Sequence, residues 1–498
     1  MRDIYDIIII GGGVVGCMTA RQLSRYQLNV LLIEKESDIG MGPSSANSAI
    51  IHAGHDPIPG SLKAEMNRRA NPMWDQVAAE LGIAFERSGS YIVAVGAEER
   101  AKLDDLYARG QQNGVPGMEI LSAEETLRRE PQLSPEVSGA LWLPTAGLVD
   151  TFGAVIAAAE NALQNGVKLL LETEFQDFIM DGRRIVGVRT NRGDFGCRWV
   201  VNAAGLFSDT VMHKAGVRPD FKITPRRGEY CVLDRAEFTT RSVYFPVPGA
   251  ATKGILVLNT VHGNTIIGPD SQTVATREDD EITPAGMAEI WRGAGKLIPS
   301  VNPRHVIATF AGLRATGNAH SPNPALNYDH DFVIEIPREV DGLVNLGGIE
   351  SPGLTAAPAI AERVADLLRD AGEPLPEKPA WNPIRPTRPV FHKLSRAEQA
   401  ALIARDPRYG RMVCRCELVT EGEIVAEIHG PIPALTYDAL KRRTWLGTGR
   451  CLGSFDLPRV VELLAQETGR SPLEITKRGP GSEFLFRQTK MTDDAGAG

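Results

Sequence analysis

Three cysteines crowd the last 85 residues: Cys414 and Cys416, one residue apart in "VCRCELVT", and Cys451 in "GRCLGSFDLPRV". The other three, Cys17, Cys197 and Cys231, are spread through the preceding sequence. In a chain whose N-terminus lacks the basic lead and cleavage site of a signal peptide, that clustering favours metal over disulfides. A second chemical group stands at the other end. Gly11, Gly13 and Gly16 form G-x-G-x-x-G, in which the first glycine turns the chain sharply and the second lets backbone approach a pyrophosphate. The third lets the following helix pack on its strand, and the phosphates rest on that helix's N-terminus. Glu34, 18 residues beyond Gly16, can accept hydrogen bonds from a ribose diol. The order of strand, glycine turn, helix, strand and acid predicts dinucleotide binding.

The elements that must position these residues follow from the hydrophobic pattern. "DIIII" is a β-branched run suited to a buried parallel strand, "CMTARQLSRYQ" the helix, and "NVLLIEK" the second strand. From residue 40 the chain enters "GMGPSSANSAIIHAGHDPIPGSLKAEMN", rich in small and polar residues, so the nucleotide domain is interrupted. It resumes in a strand and a three-stranded meander turning at Asp181-Gly182 and Arg192-Gly193, then a strand ending in Ala203-Ala204-Gly205. "GLVNLGGIESPGLTAAPAIAERVADLL" places Gly347, Gly348, Gly353, Leu354 and Thr355 before a helix, where backbone amides can face a cofactor. Residues 372–391 hold six prolines and mark a boundary. Composition is that of a soluble protein with 43% apolar and 23% charged residues, and the net charge of −8 gives no support for nucleic-acid binding. No apolar run of about 18 residues predicts a membrane span.

This interleaving resembles flavoproteins of the glutathione-reductase type, specifically the D-amino-acid-oxidase-like group, over residues 1 to 370. The resemblance implies an α/β fold: a discontinuous FAD-binding Rossmann domain (1–80, 145–215, 330–370) with an inserted mixed-sheet substrate domain (81–144, 216–329). It implies FAD, contacted by Gly11, Gly13, Gly16, Glu34, Lys35, Phe175, Ala204, Gly205, Gly348, Gly353, Leu354 and Thr355. "SSANSAIIHAGH" resembles the equivalent segment of the glycerol-3-phosphate and L-2-hydroxyglutarate dehydrogenases, which place a histidine like His52 near the flavin ring. Oxidising a secondary alcohol needs a base for the hydroxyl proton, and a histidine of near-neutral pKa suits it. A flavin-packing histidine is the plain alternative, and His55 is a weaker candidate base. Ser45, Asn47 and Ser48 are flavin contacts or ordinary turn residues. Arg314, in an "AG-x-R" segment, meets the anionic end of the substrate in the same families, where a guanidinium fits phosphate or carboxylate; a surface or interdomain salt bridge is its alternative. Arg227, Glu229, Lys253, Thr260 and His262 are further pocket candidates. Charge does not separate a polyol phosphate from a 2-hydroxy acid. No second strand-led G-x-G-x-x-G occurs, so electrons are expected from an organic substrate rather than from NAD(P)H.

Beyond the prolines (linker 371–395), residues 396–475 resemble the small α-helical [2Fe–2S] domain of bacterioferritin-associated ferredoxin, also found at the C-terminus of the A subunit of anaerobic glycerol-3-phosphate dehydrogenase. "CRCELVT", "LKRRTWLGTGRC" and "DLPRVVELLAQ" carry the likeness, and 476–498 is a tail. The family ligands, C-x-C and later C-x-x-x-x-C, map onto Cys414, Cys416, Cys451 and Asp456. Asp456 departs from the pattern, and a harder carboxylate should make a cluster more labile. Buried thiols in an empty domain, or zinc on the three cysteines with Asp456, stay open, although C-x-C serves zinc poorly. The expectation is a cytoplasmic FAD-dependent dehydrogenase of a small hydroxylated anion, passing electrons through the cluster to an acceptor protein or quinone-linked subunit. Through that partner it could sit peripherally at a membrane, alone or in a homo- or hetero-oligomer. An amine or amino-acid oxidase of the same fold and a non-catalytic flavin scaffold are the rivals.

Overall fold

The isoleucine run ends the strand Ile4–Ile10, in which Ile7, Ile8 and Ile9 are fully buried, as an unbroken β-branched run in a parallel strand requires. It pairs in parallel with Val30–Ile33 on one side and Gly193–Asn202 on the other. These belong to an eight-stranded sheet with Lys168–Leu170 beyond Val30–Ile33 and the meander Phe175–Asp181, Arg184–Thr190 at the other edge. On its side away from Ile4–Ile10, Gly193–Asn202 serves two neighbours: its first residues pair antiparallel with Arg184–Thr190, its last in parallel with Leu343–Gly347. The parallel strands therefore end together, and Gly11, Glu34, Ala203 and Gly348 gather at their carboxyl ends, where ligands of open α/β sheets bind. The computed structural model describes residues 4–249, 254–320 and 330–488.

A nine-stranded mixed sheet is inserted between the pieces of the first. Its longest pairing sets Ile223–Leu233 antiparallel to Val306–Gly317, with Arg226 opposite Arg314 and Gly228 opposite Gly312. Alternation along Ile223–Leu233 sends Arg226, Gly228 and Tyr230 to one face and Arg227, Glu229 and Cys231 to the other. The second face is covered by the helix Pro284–Leu297, whose Ile290, Ala294 and Leu297 are fully buried in a cluster with Cys231 and Leu233. Burial of each such Ile or Leu contributes about 1.5–3 kcal/mol. The helix is capped by Thr283, whose hydroxyl accepts the Gly286 amide.

Contacts divide the chain into two units, Met1–Lys35 with Ile39–Pro386, and Glu36–Asp38 with Thr387–Gly498. The proline-rich stretch expected as a linker is fastened to the first unit over much of its length. The Gln27 amide donates to the Pro376 carbonyl, Lys378 Nζ to the Asn165 carbonyl, and Arg385 Nε to Glu160 at 2.5 Å. Prolines cannot donate along a sheet, so side chains and single amides do the fastening.

The second unit is helical. A short hairpin, Met412–Cys414 with Val419–Thr420, leads into the helix Glu421–Ile428, whose start is a reciprocal capping box between Thr420 and Glu423. The helices Tyr437–Thr444 and Leu457–Thr468 complete a core containing Cys414, Ile424, Leu440, Val460 and Leu464. No described helix is long and apolar enough to cross a membrane.

Candidate active site

The turn after Ile4–Ile10 is shaped for close approach. Gly11 has a φ of +108°, and a Cβ there would stand 2.6 Å from the Ala203 carbonyl oxygen. A Cβ on Gly16 would lie 2.0 Å from the Gly11 carbonyl oxygen, so strand and helix pack without room for a side chain. Gly13 offers no side-chain cap to the helix Val14–Leu23. Instead the Val14 amide donates to Ser44 Oγ at 2.9 Å, which makes Ser44 a member of the phosphate end that its small, polar sequence context did not single out. Glu34 Oε2 accepts the Gly12 amide at 2.7 Å, holding the carboxylate over the turn where a ribose would meet it. Lys35 places its ammonium 5.0 Å from the centre of the Phe207 ring. Ala204 and Gly205 follow Asn202 at the same end of the sheet, whereas Phe175 starts the meander with its ring 4.7 Å from Phe178. These residues fit a dinucleotide lying over the strand ends.

The loop after residue 40 is organised by its own polar side chains. Ser45 Oγ donates to the Gly42 carbonyl, while Asn47 donates to the Pro43 and Ser44 carbonyls and accepts the Ala49 amide. Ser48 Oγ lies 3.2 Å from the Tyr230 hydroxyl. His52 is held from both sides: its amide donates to Thr355 Oγ1 at 2.9 Å, and its carbonyl accepts from Asn67 and Asn71. Its Nε2 stands 3.4 Å from Ser351 Oγ, in the segment between Gly348 (φ +62°) and Gly353 that opens the helix Gly353–Asp370. Leu354 and Thr355 form that helix's first turn. His55 is buried beneath Gly110.

Arg314 reaches the same face as Tyr230. Its Nη2 donates to the Asp270 carbonyl at 3.0 Å and its Nη1 approaches Ser271 Oγ at 3.4 Å, while Arg226 Nη2 donates to the same Ser271 oxygen at 2.5 Å. Two guanidiniums thus converge on one hydroxyl. Gly228 makes this possible, because a Cβ there would lie 2.5 Å from Arg314 Nη2. Gly312 likewise admits the cofactor loop, since its Cβ would stand 2.0 Å from the Ala46 carbonyl oxygen. Burial pushes the Tyr230 hydroxyl pKa up, against the opposing pull of Arg314. Next along the strand, Thr316 Oγ1 donates to Glu350, which also accepts from Lys63 Nζ at 2.7 Å. Burial would raise the Glu350 carboxyl, yet Lys63, Thr316 and Arg226 together bring it below the ordinary glutamate value.

The expected pocket residues Arg227 and Glu229 lie on the opposite face. Arg227 pairs with Asp279 and with Glu229, and the wholly buried Glu229 accepts the Thr283 amide and hydroxyl at 2.8 Å each. They fasten the helix Pro284–Leu297 to the sheet, and Arg226 is the member of the pair that shares a face with Arg314. Thr260 and His262 form the tip of the hairpin between Leu256–Asn259 and Thr265–Gly268, with His262 Nε2 3.7 Å from Asp150. Lys253 lies outside the described residues.

In the second unit the four expected ligands sit as two pairs. Cys414 lies against Asp456, and Cys416 against Cys451, so the pairs run across the two motifs rather than within them. Among the described residues no group of three or more His, Cys, Asp or Glu is gathered closely enough to hold a single metal ion. Both pairs border the Gly447–Gly453 loop: the Gly447 amide donates to the Cys414 sulfur, and a Cβ on Gly449 would stand 2.5 Å from Cys416 Cβ. Burial pushes the Cys414 thiol up to about 11. Asp456, 1% exposed at the N-cap of Leu457–Thr468, caps nothing. Its Oδ1 accepts the Tyr437 hydroxyl at 2.7 Å, and its Oδ2 is buried without a hydrogen bond. Paired soft ligands, amides aimed at sulfur and a carboxylate oxygen left open fit a dinuclear iron–sulfur group better than one tetrahedral ion.

A family model described as FAD dependent oxidoreductase (DAO) matches residues 6–367. The chain is 42% identical over 489 residues to the glycerol 3-phosphate dehydrogenase of Caloramator mitchellensis, covering 98% of this chain and 99% of that one. It is 34% identical to the glycerol 3-phosphate oxidase of Mycoplasma pneumoniae, covering 76% of this chain and 97% of the oxidase. The mitochondrial L-2-hydroxyglutarate dehydrogenase of Homo sapiens is 31% identical over 74% of this chain and 89% of its own length. Among solved structures, the dithionite-reduced, FAD-bound L-alpha-glycerophosphate oxidase of M. pneumoniae superposes with a TM-score of 0.70 at 31% identity, covering 78% of this chain and 99% of that one. The family match begins within the first nucleotide strand and ends inside the helix Gly353–Asp370, spanning both large sheets: the chain belongs to the DAO family of FAD dependent oxidoreductases, and its cofactor is FAD.

Proposed function

We propose that this protein is a dehydrogenase that oxidises the secondary hydroxyl of glycerol 3-phosphate. The observation that carries the reading is a pair of cations, Arg226 and Arg314, meeting at Ser271 on the sheet face of Tyr230, together with His52 held beside Ser351 in the segment that follows Leu343–Gly347. The arginines hold the phosphate, two charge-assisted donors suiting a dianion. His52 Nε2 takes the hydroxyl proton, with Ser351 beside the ring to orient it. The carbon loses its hydrogen as hydride and the hydroxyl gives its proton to His52, so the alcohol becomes a ketone with loss of two electrons and two protons, one of them within the hydride. FAD, when bound, supplies the acceptor for that hydride. Lys63 and Glu350 neutralise each other at the edge of the site.

The dehydrogenase of C. mitchellensis aligns with 98% of the chain, whereas the M. pneumoniae oxidase aligns with 76%. That difference supports a role for the C-terminal unit in a dehydrogenase rather than an oxidase. We place a [2Fe–2S] cluster on Cys414, Cys416, Cys451 and Asp456, where it would supply a one-electron store toward an acceptor protein or quinone-linked subunit. Anaerobically purified protein should carry about two irons and two acid-labile sulfides per chain, and iron near zero after such handling defeats this part.

Anaerobic mixing with glycerol 3-phosphate should bleach the flavin absorbance. His52→Ala should slow that bleaching by about 10²- to 10⁴-fold while FAD stays bound. Bleaching by 2-hydroxyglutarate alone would transfer the reading to a 2-hydroxy acid, by an amino acid alone to an amine oxidation, and by none of these three to a flavin scaffold.

A further inference from the structure

Resting on the [2Fe–2S] reading, we infer that Tyr437 is a positioning residue that makes Asp456 a one-oxygen ligand and sets the potential of the cluster. The two oxygens of Asp456 have unequal surroundings: Oδ1 accepts the Tyr437 hydroxyl at 2.7 Å, and Oδ2 is buried with no well-formed hydrogen bond, with the Cys414 thiol lying against the carboxylate. A buried carboxylate oxygen without a partner is costly, of the order of 1–3 kcal/mol or more, unless something outside the protein's own hydrogen bonds completes it. Iron at Oδ2 completes it. Chelation through both oxygens would have to share Oδ1 between the tyrosine hydroxyl and iron, which makes that oxygen the poorer ligand.

The tyrosine is itself built in. It is 6% exposed at the start of Tyr437–Thr444, with its ring edge-on to Phe484 at 5.8 Å. Its hydroxyl is enclosed by two glycines with left-handed backbone, Gly447 (φ +69°) and Gly453 (φ +83°), whose Cβ atoms would stand 2.2 and 2.1 Å from the oxygen. These glycines flank Cys451, so the loop that carries a thiolate ligand also holds the hydroxyl that secures the carboxylate. A cysteine at 456 would offer the tyrosine a far weaker acceptor. The aspartate and the tyrosine therefore form a unit, and the departure from four cysteines is accommodated by the surrounding structure. A hydrogen bond to a ligand withdraws electron density and favours the more negative, reduced cluster, so it raises the potential.

The test is a double-mutant cycle on the full-length protein, loaded anaerobically, with Tyr437→Phe, Asp456→Cys and the double variant. Tyr437→Phe should move the midpoint of the cluster in a spectroscopic redox titration to more negative values. It should also weaken iron retention against a chelator by about tenfold, at the low end of what outer-shell partners give. In the Asp456→Cys background the same change should move neither. Equal effects in both backgrounds, or no shift in the aspartate background, overturn the proposal. Mössbauer spectra of the ⁵⁷Fe-loaded unsubstituted protein read the same point without any variant: two four-coordinate irons, one with an oxygen ligand, are expected, and a five-coordinate iron overturns it. Failure of the unsubstituted protein to hold iron sinks the cluster reading and this proposal with it, whereas iron with an unmoved potential sinks this proposal alone.

Discussion

Arg226→Ala and Arg227→Ala, neighbours in sequence, should fail in different ways. Arg226 shares Ser271 with Arg314 on the face of Tyr230, and a charge-assisted hydrogen bond of this kind is worth about 1.5–3 kcal/mol. If that energy acts on the bound phosphate, kcat/KM for glycerol 3-phosphate falls by about 10- to 150-fold. The melting temperature should hardly move, because the alanine leaves Ser271 its contact with Arg314. Arg227→Ala removes the cation beside Glu229, which is wholly buried, and beside Asp279, whose side chain is 32% exposed. Breaking a buried pair from one side costs about 3–5 kcal/mol. The Thr283 amide and hydroxyl still serve Glu229 and Asp279 has some water, so the lower end applies. The assay is steady-state kinetics with an artificial electron acceptor beside a thermal melt followed by flavin fluorescence. A large rise in KM for Arg227→Ala at unchanged melting temperature, with Arg226→Ala silent, would refute the assignment of faces.

Two further outcomes follow from the packing. Gly312→Ala would set a Cβ 2.0 Å from the Ala46 carbonyl oxygen, so strand and cofactor loop must separate; a cost of about 1–3 kcal/mol and incomplete flavin retention on gel filtration are expected, and full retention at an unchanged melting temperature would count against the contact. Asp38, in the second unit, loses by burial but gains more from Arg443 and Arg442, and its carboxyl falls from 3.8 to about 2. A depressed carboxylate stabilises above its unfolded pKa, and that stability disappears as pH falls through the folded value. Asp38→Asn should therefore cost about 2–3 kcal/mol near neutrality. The difference from the unsubstituted protein should shrink between pH 3.8 and about 2 in acid-unfolding curves, and a constant difference would contradict the ion cluster.

The nucleotide turn was legible in the sequence because everything it needs is local. Gly11, Gly13, Gly16 and Glu34 lie within one strand–helix–strand unit, and their spacing alone fixes what each backbone position can do. Ser44 escaped because its role is to meet an amide 30 residues away, and a serine in a small-residue loop carries no mark of that. The inserted sheet was legible as a class but not in register. In "TPRRGEY" the alternation of side chains says that two adjacent arginines face opposite ways, and nothing in the segment says which of them shares a face with Arg314. That is decided by pairing to Val306–Gly317, which sets Arg226 across from Arg314.

The C-terminal unit shows the same limit in its chemistry. "CRC" and "CLGSFD" suggest two ligand pairs, each within its own motif, because sequence can only group what is adjacent. The fold regroups them as Cys414 with Asp456 and Cys416 with Cys451, since the hairpin and the Gly447–Gly453 loop approach each other side by side. Tyr437, at the start of a helix and before an acidic residue, reads in sequence as a core aromatic. Its hydroxyl, wedged between two glycines and aimed at Asp456, is what marks it for a positioning role. The Tyr437 hydroxyl, the Asp456 carboxylate and the backbone of Gly447 and Gly453 are packed together, so the position of each depends on the others. Asp456→Asn tests that dependence: it keeps the side chain's volume and an acceptor for the tyrosine but removes the anionic oxygen, so the unit should fold with its melting temperature little changed and lose its iron. Iron retained in Asp456→Asn would show that Oδ2 is not where the metal is held.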